Sequence, residues 1–334
     1  MRNKIRFGII GCSSIASRSV IPAIKDVKLA ELEMIGSRSL EKAKRFAQEF
    51  SCDKFGHYED ILENKDIDAV YISLPPALNE EWVIKSALAG KHIICEKPAT
   101  ISFDSAKKMV TACKKNRVRI LEGFSFRFHP QHKKIQKIIQ DGSLGNIFSF
   151  SSSYGFQLDR SKDDFRFQKK LGGGILNDVG CYIVCASRMI FDKKPLSVLC
   201  SLSIDKNSGV DTMGSLFIKY PENRIAHGIF SYKALFQSTY RLWGEDGIVN
   251  LNRAFNIRND MRPSIQIQTN KKTRELQLEP ANQFKLMINE FCRELSHKGS
   301  STFDYEEDLL SQAQVMTAAK KSFVENKLVN INEI

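Results

Sequence analysis

The stretch Gly8-Ile9-Ile10-Gly11-Cys12-Ser13-Ser14-Ile15-Ala16 closes an apolar run that begins at Ile5 and leads straight into a segment with helical spacing. Set against the pattern G-x-G-x-x-G/A, it supplies Gly11, Ser13 and Ala16. In that pattern the first position makes the tight turn out of a strand. The second lets backbone approach a pyrophosphate, and the third lets helix and strand pack closely. Ser13 stands where the second glycine belongs, so the motif alone is equally compatible with an ordinary strand-to-helix turn. A helix starting here still offers free N–H groups and a positive dipole end to an anion.

Outward from this turn, compact Ile- and Val-rich runs at 5–10, 32–35, 69–74, 92–95 and 118–121 alternate with amphipathic segments at 14–27, 40–50, 79–89 and 104–116. The former read as buried strands and the latter as helices. Gly90 stands where a helix C-cap belongs, and Ser102 where an N-cap belongs. Strict alternation predicts a doubly wound α/β fold with a parallel sheet over residues 1–125. After residue 125 the texture changes. A helix at 130–140 leads through Asp141-Gly-Ser-Leu-Gly145 into a strand at 146–156, and a second helix follows at 178–191. Residues 196–277 then read as strands separated by turn signals at 207–209, 221–223 and 245–247, a spacing that suggests antiparallel meanders. Helices at 281–295 and 305–325 close the chain. This division gives a first domain over 1–125 and an α+β domain over 126–334, with a cleft between them as the default place for a site.

The chain length of 334 residues agrees with two domains at about 150 residues each. Hydrophobic residues make up 42% and charged residues 26%, so the chain can bury real cores. The net charge of +12 is spread evenly along the chain. Such a distribution fits an anionic small-molecule partner better than nucleic acid, which calls for charge concentrated on one element. The eight cysteines sit mostly in apolar runs and form no Cys-x-x-Cys pair, which reads as buried free thiols in a reducing cytoplasm. Cys181 and Cys185 lack the further ligands of a zinc set, so no metal is expected. The basic start at residues 1–4 is followed by too short an apolar run for a signal peptide, and no run approaches about 18 uninterrupted apolar residues. A cytoplasmic protein without a membrane segment is expected.

Two further addresses point to chemistry. About twenty residues after the fingerprint, a carboxylate would bind a ribose 2′-hydroxyl, whereas a cation would suit a 2′-phosphate. The second strand ends Ile35-Gly36-Ser37-Arg38, with Lys42 one turn into the next helix, which predicts NADP(H). Strand five ends Cys95-Glu96-Lys97-Pro98, placing Lys97 at the carboxyl edge of a parallel strand, with an X-Pro bond that can be cis. Downstream, Leu171-Gly-Gly-Gly174-Ile-Leu-Asn-Asp178-Val-Gly180-Cys-Tyr182 puts Asp178 and Tyr182 four apart on one helix face.

Together with Gly123-Phe-Ser-Phe-Arg-Phe-His-Pro130, these motifs resemble the glucose–fructose oxidoreductase, inositol dehydrogenase and MocA family in order and spacing across essentially the whole chain. The resemblance implies a Rossmann domain followed by a domain built on a large open mixed sheet, through which homodimers or homotetramers form. It implies hydride transfer to or from a sugar or other polyol. Members carry His or Tyr at the position of Tyr182. The Tyr version looks like dihydrodiol dehydrogenases, NADP-dependent sugar dehydrogenases and 3-ketoreductases of nucleotide-linked hexoses. Leu74-Pro-Pro-Ala-Leu-Asn-Glu-Glu-Trp82 and Asp164-Phe-Arg-Phe167 look most like the last group. Pro76 and Asn79 depart from the Asn and His that many members carry after the fourth strand. Cofactor candidates are therefore Gly11, Cys12, Ser13, Ser14, Ile15, Ser37, Arg38, Lys42, Leu74, Pro75, Glu96 and Lys97. Substrate candidates are Arg127, His129, Arg166, Asp178 and Tyr182, with His132 and Lys169 as further polar neighbours.

The expected mechanism follows from charge. Hydride reduction of a ketone leaves an alkoxide that must receive a proton. Tyr182 is the candidate donor, and a phenol with a pKa of about 10 needs that value lowered to work near neutrality. Lys97 as a cation within about 4 to 6 Å does this and stabilises the oxyanion. Asp178 orients substrate hydroxyls or Lys97, or else caps its helix. The glycines at 172–174, with Lys169 and Lys170, either hold phosphate or form a linker. Phe124, Phe126 and Phe128 read as core on an extended stretch. The reading is reduction of a keto-sugar, free or nucleotide-linked. Its alternatives are the oxidative sugar or dihydrodiol dehydrogenase and a non-catalytic dinucleotide sensor, which would have no use for Lys97, Asp178 and Tyr182.

Overall fold

A computed structural model describes residues 4–159, 164–296 and 303–334; most of the basic N-terminal start lies outside the described residues. The chain forms two compact units. The first comprises Met1–Thr100, Asp104–Ser125 and Phe284–Leu310. Its sheet is built from β1 (Ile5–Ile10), β2 (Ala30–Gly36), β3 (Phe55–Gly56), β4 (Ala69–Ile72), β5 (His92–Cys95) and β6 (Ile120–Glu122), all parallel. The strand order is β3-β2-β1-β4-β5-β6, the doubly wound order in which β1 and β4 flank the topological switch point. Helices α1 (Ile21–Asp26), α2 (Leu40–Glu49), α3 (Tyr58–Glu63), α4 (Pro76–Leu88) and α5 (Phe103–Lys115) connect the strands.

Burial explains why these segments are strands. Every residue of β4 is fully buried, as expected of a parallel strand covered on both faces, and each large apolar side chain so buried contributes about 1.5–3 kcal/mol. β3 and α3 escape sequence periodicity because two and six residues are too few to show a period. Residues 284–310 join this unit although they lie far past a linear cut at 125. There Glu306, 6% exposed, accepts from Arg119 Nε at 2.9 Å and from the Ile120 backbone N–H at 3.1 Å at the edge of the sheet.

The second unit comprises Ile101–Phe103, Phe126–Gln283 and Ser311–Ile334. It opens with α6 (Pro130–Gln140) and β7 (Ile147–Gln157), followed by α7 (Cys181–Phe191). The strands β8 (Ser197–Ile204), β9 (Asp211–Lys219), β10 (Ile225–Ser231), β11 (Lys233–Gly244), β12 (Gly247–Leu251), β13 (Ser264–Thr269) and β14 (Thr273–Gln277) come next. Helices α8 (Gln283–Ser296) and α9 (Tyr305–Glu325) and the short β15 (Val329–Asn330) end the chain. The nine-stranded sheet runs β14-β13-β12-β11-β7-β10-β9-β8-β15. It is mixed: β7 pairs with β10 in parallel and the remaining pairs are antiparallel.

One sheet face is buried and the other open, with the period of two that this demands. On β10, Ala226, Gly228 and Phe230 are buried while His227 and Ile229 face out. The open face also carries Leu199, Met213 and Trp243, each at least two-fifths exposed, and a groove of about 390 Å³ between Ser151, His227, Thr239, Arg241 and Gln266. The 23-residue stretch Lys169–Phe191 is long and apolar enough to pass for a membrane span, but 78% of its most apolar window is buried, so it packs as a core helix of this unit. The eight thiols are free, and seven of them are buried.

Candidate active site

The carboxyl edge of the parallel sheet gathers the cofactor candidates. Gly11 leaves β1 at φ +108°, where an added Cβ would press on Leu74 Cδ2 and the Ser73 carbonyl, each at 3.0 Å. Only glycine takes this turn without strain. Ser13, at the second fingerprint position, accepts from the Ala16 backbone N–H through its hydroxyl at 3.1 Å and so caps the turn that follows. That turn is π-helical over Ala16–Val20, with Ala16 fully buried. Cys12 is buried, Ser13 and Ile15 are half-buried, and Ser14 is exposed. At the end of β2, Ser37 is buried while Arg38 and Lys42 reach into solvent. Burial raises the pKa of the Tyr58 phenol at the start of α3, and the nearby charge of Arg38 works against that rise. A ring contact with Trp82 at 4.8 Å fixes the phenol. These residues fit a dinucleotide bearing a 2′-phosphate: a glycine turn without a Cβ at the switch point and two exposed cations at the end of β2.

At the end of β5, Glu96 accepts from the buried Tyr71 hydroxyl at 2.5 Å and from the Lys97 backbone N–H at 3.2 Å. The Lys97–Pro98 bond is cis. Asn79, 1% exposed on α4, donates from Nδ2 to the Pro98 carbonyl at 3.4 Å. The departure at Asn79 thus has a local purpose, since the side chain ties α4 to the turn after Lys97. Leu74 and Pro75 lie half-buried just before α4.

In the second unit, Asp178 and Tyr182 lie on one continuous helical segment, a π turn over Leu176–Gly180 running into α7. Asp178 Oδ2 accepts from Arg166 Nε at 3.0 Å and from the Tyr232 hydroxyl at 3.1 Å. Arg166 is held in turn by Asp164, Nη1 to Oδ2 at 3.1 Å. Burial works against the guanidinium, yet Asp178 and Asp164 keep it above its ordinary pKa. Burial, and then Asp178, push Tyr232 well above a free phenol, so its hydroxyl stays protonated and donates. The Tyr182 ring sits among Phe126, Tyr154 and Phe255, with centroids at 5.6, 5.2 and 5.4 Å. Three aromatic walls restrict its rotamers.

The glycine segment before this helix is fully committed within the fold. The N–H groups of Gly172, Gly173 and Gly174 go to the carbonyls of Lys169, Gln168 and Arg166. Asp211, at the start of β9, accepts from the Leu176 N–H at 2.5 Å, occupying the helix N-terminus with a carboxylate of the chain itself. Of the two sequence readings of 172–174, the phosphate cradle therefore gives way to a packing turn. Burial raises the Asp211 carboxyl and lowers the nearby Lys320 to about 8.

The two candidate histidines are interior. His129, with no exposed surface, caps α6 by accepting the Gln131 N–H at 3.3 Å, and burial lowers it to about 4. His132 bridges the Tyr240 hydroxyl and the Ala254 carbonyl, each at 3.0 Å. Burial lowers it to about 3. Both are neutral side chains with structural roles. Arg127 is half-buried, and Lys169 and Lys170 are exposed. Phe124 and Phe126 are core as expected, but residues 125–128 form a 3₁₀ turn rather than an extended stretch. Sequence reasoning missed Tyr58, Tyr232 and Asp211. Only an acidic residue at a strand start and a tyrosine just after a strand marked the last two, and neither pattern is specific.

A glycine turn at the switch point of a doubly wound sheet, joined in one chain to a unit with an open mixed sheet and a helical segment bearing Asp178 and Tyr182, defines a Rossmann-type oxidoreductase. The family model described as "Oxidoreductase family, NAD-binding Rossmann fold" matches residues 5–124, and the GFO/IDH/MocA C-terminal domain matches residues 132–250. The chain belongs to the GFO/IDH/MocA oxidoreductase family. It is 33% identical to the dTDP-3,4-didehydro-2,6-dideoxy-α-D-glucose 3-reductase of Saccharopolyspora spinosa, covering 88% of this chain and 89% of that one. It is 31% identical to the D-xylose 1-dehydrogenase (NADP(+)) 2 of Haloferax volcanii, over 91% and 93% of the two chains. The crystal structure of a 3-ketoreductase from Actinomadura kijaniata with NADP and TDP-benzene superposes with a TM-score of 0.90 at 30% identity, covering 96% of this chain and 98% of that one.

Proposed function

We propose that this enzyme is an NADP(H)-dependent oxidoreductase that reduces the keto group of a nucleotide-linked sugar. The observation that carries the reading is the likeness, over nine-tenths of the chain, to 3-ketoreductases of dTDP-linked sugars. The carboxyl edge of the parallel sheet supplies the matching cofactor chemistry. Gly11, Cys12, Ser13, Ser14 and Ile15 would receive the pyrophosphate, and Ser37, Arg38 and Lys42 the 2′-phosphate. Leu74, Pro75, Glu96 and Lys97 would line the nicotinamide side. When bound, the nicotinamide supplies the hydride.

The chain's own residues then manage the proton. Tyr182, its ring held among three aromatic side chains, gives its proton to the developing alkoxide, and Lys97 supplies the cation that favours phenolate and stabilises the oxyanion. Asp178, paired with Arg166, accepts from a sugar hydroxyl and orients the ring. Arg127 and Arg166 contribute positive charge on the substrate side. The open sheet face, with Ile229 58% and Trp243 52% exposed, pairs two copies of the chain. No nucleic acid or membrane enters this reading, and the enzyme works in the cytoplasm.

The likeness to the D-xylose dehydrogenase favours a second reading, the same chemistry run in oxidation. NADPH oxidation with dTDP-3,4-didehydro-2,6-dideoxy-α-D-glucose, set against NADP⁺ reduction with D-xylose, separates the two. Faster turnover of D-xylose would displace the reductase reading.

A further inference from the structure

We propose that Tyr232 is a positioning residue of this reaction: its hydroxyl, together with Arg166, fixes the carboxylate of Asp178 for the sugar. The inference rests on the functional reading above and deepens it, since no specific sequence pattern marks Tyr232. Asp178 Oδ2 takes two donors from different parts of the unit, Arg166 Nε at 3.0 Å and the Tyr232 hydroxyl at 3.1 Å. The directions of the two donors set the plane of the carboxylate. Losing either donor weakens the hold on its χ2 torsion, which is intrinsically broad.

Tyr232 is built to hold still. It is 2% exposed, between β10 and β11. Its backbone N–H donates to the Thr212 carbonyl at 2.9 Å, and its carbonyl accepts from the Leu158 N–H at 3.0 Å. Its ring packs between Phe156 and Phe167, with centroids at 5.7 and 5.9 Å. A phenol pinned at both backbone and ring has one place to put its hydroxyl, and that place is Asp178. The arrangement also keeps Asp178 out of proton transfer. With a guanidinium and a hydroxyl both donating to one oxygen, its role is that of a fixed acceptor, while the proton of the reaction comes from Tyr182.

The test is a double-mutant cycle on Tyr232→Phe and Asp178→Asn, with each variant checked for its thermal midpoint and NADPH affinity. The reaction followed is reduction of dTDP-3,4-didehydro-2,6-dideoxy-α-D-glucose or oxidation of D-xylose, whichever the wild type turns over. Tyr232→Phe should lower kcat/KM for the sugar about tenfold, the worth of one hydrogen bond to a charged group, and leave KM for NADPH unchanged. In the Asp178→Asn background the same substitution should cost less than about twofold. Equal losses in both backgrounds, or a loss shared with NADPH affinity, would show a merely structural tyrosine and overturn the proposal. Wild-type kcat/KM in Tyr232→Phe would overturn it as well. A wild type inactive in both reactions overturns the functional reading and this inference with it.

Discussion

The carboxylate of Asp211 caps the helix that begins beside Leu176, accepting its backbone N–H at 2.5 Å from a strand 35 residues downstream. Gly174 makes this possible. It sits at φ +111°, and a Cβ there would overlap Asp211 Oδ1. The helix so anchored carries both Asp178 and Tyr182, so the orientation of the proposed catalytic face depends on a residue outside it.

Asp211→Ala should destabilise the protein by about 1–2 kcal/mol through the lost cap. Gly174→Ala should cost about 1–3 kcal/mol through its left-handed backbone and the contact with Asp211. Because the two share that contact, the double variant should be less destabilised than the sum of the singles. Urea denaturation measures all three, and strict additivity would separate the glycine from the cap.

The buried histidines predict an acid limit to stability. His129 and His132 are lowered by burial to about 4 and about 3 from an ordinary 6.5. In the window between those values and 6.5 the unfolded chain binds protons that the folded chain does not, so stability is fully present above pH 6.5 and falls as the pH drops. Each histidine contributes up to about 1.4 kcal/mol per pH unit. Unfolding free energies measured from about pH 8 down to about pH 4 should show this slope, and His132→Gln should flatten it. An unchanged slope in the variant would place the acid sensitivity elsewhere.

Arg38→Ala should weaken NADPH binding about 10- to 100-fold, the worth of a charged contact to phosphate, with little change in NADH. Fluorescence titration of both nucleotides reads the difference. Equal losses for NADPH and NADH would detach Arg38 from the 2′-phosphate.

Tyr182→Phe should lower turnover by about 10²- to 10⁴-fold while NADPH still binds normally, and Lys97→Met should lower it by a comparable factor. Steady-state rates together with NADPH titration check both. A Tyr182→Phe variant that keeps wild-type turnover would move the proton donor to another group.

On the open sheet face, Ile229→Glu and Trp243→Glu place charge on side chains that are 58% and 52% exposed in the single chain. If this face joins two copies, sedimentation should show the wild type as a dimer or tetramer and the variants as monomers. A wild type that sediments as a monomer removes the interface.

Much of the secondary structure of both units could be read directly. β1, β5, α6 and α9 follow the apolar periodicity residue for residue, because parallel strands covered on both faces and amphipathic helices each leave a local signature. Gly11, Arg38 and Lys97 could be proposed from sequence because the positions this fold reserves for such roles lie along one strand and the turn after it. The return of residues 284–310 to the first unit was not legible, since Arg119 and Glu306 lie 187 residues apart and nothing local pairs them. The glycines at 172–174 allowed two readings until their N–H groups were traced to carbonyls within the turn.

By itself, then, the sequence determined the alternating strands and helices, the glycine turn at their start, and the residue types that proton and phosphate chemistry need. The tertiary structure alone decided what holds those residues: Tyr232 reaching Asp178 across 54 residues, and Asp211 reaching Leu176 across 35. Periodicity records only which side of an element faces inward. Which polar group on a distant strand meets it depends on sheet register and on the close approach that Gly174 allows, and these exist only once the chain has folded.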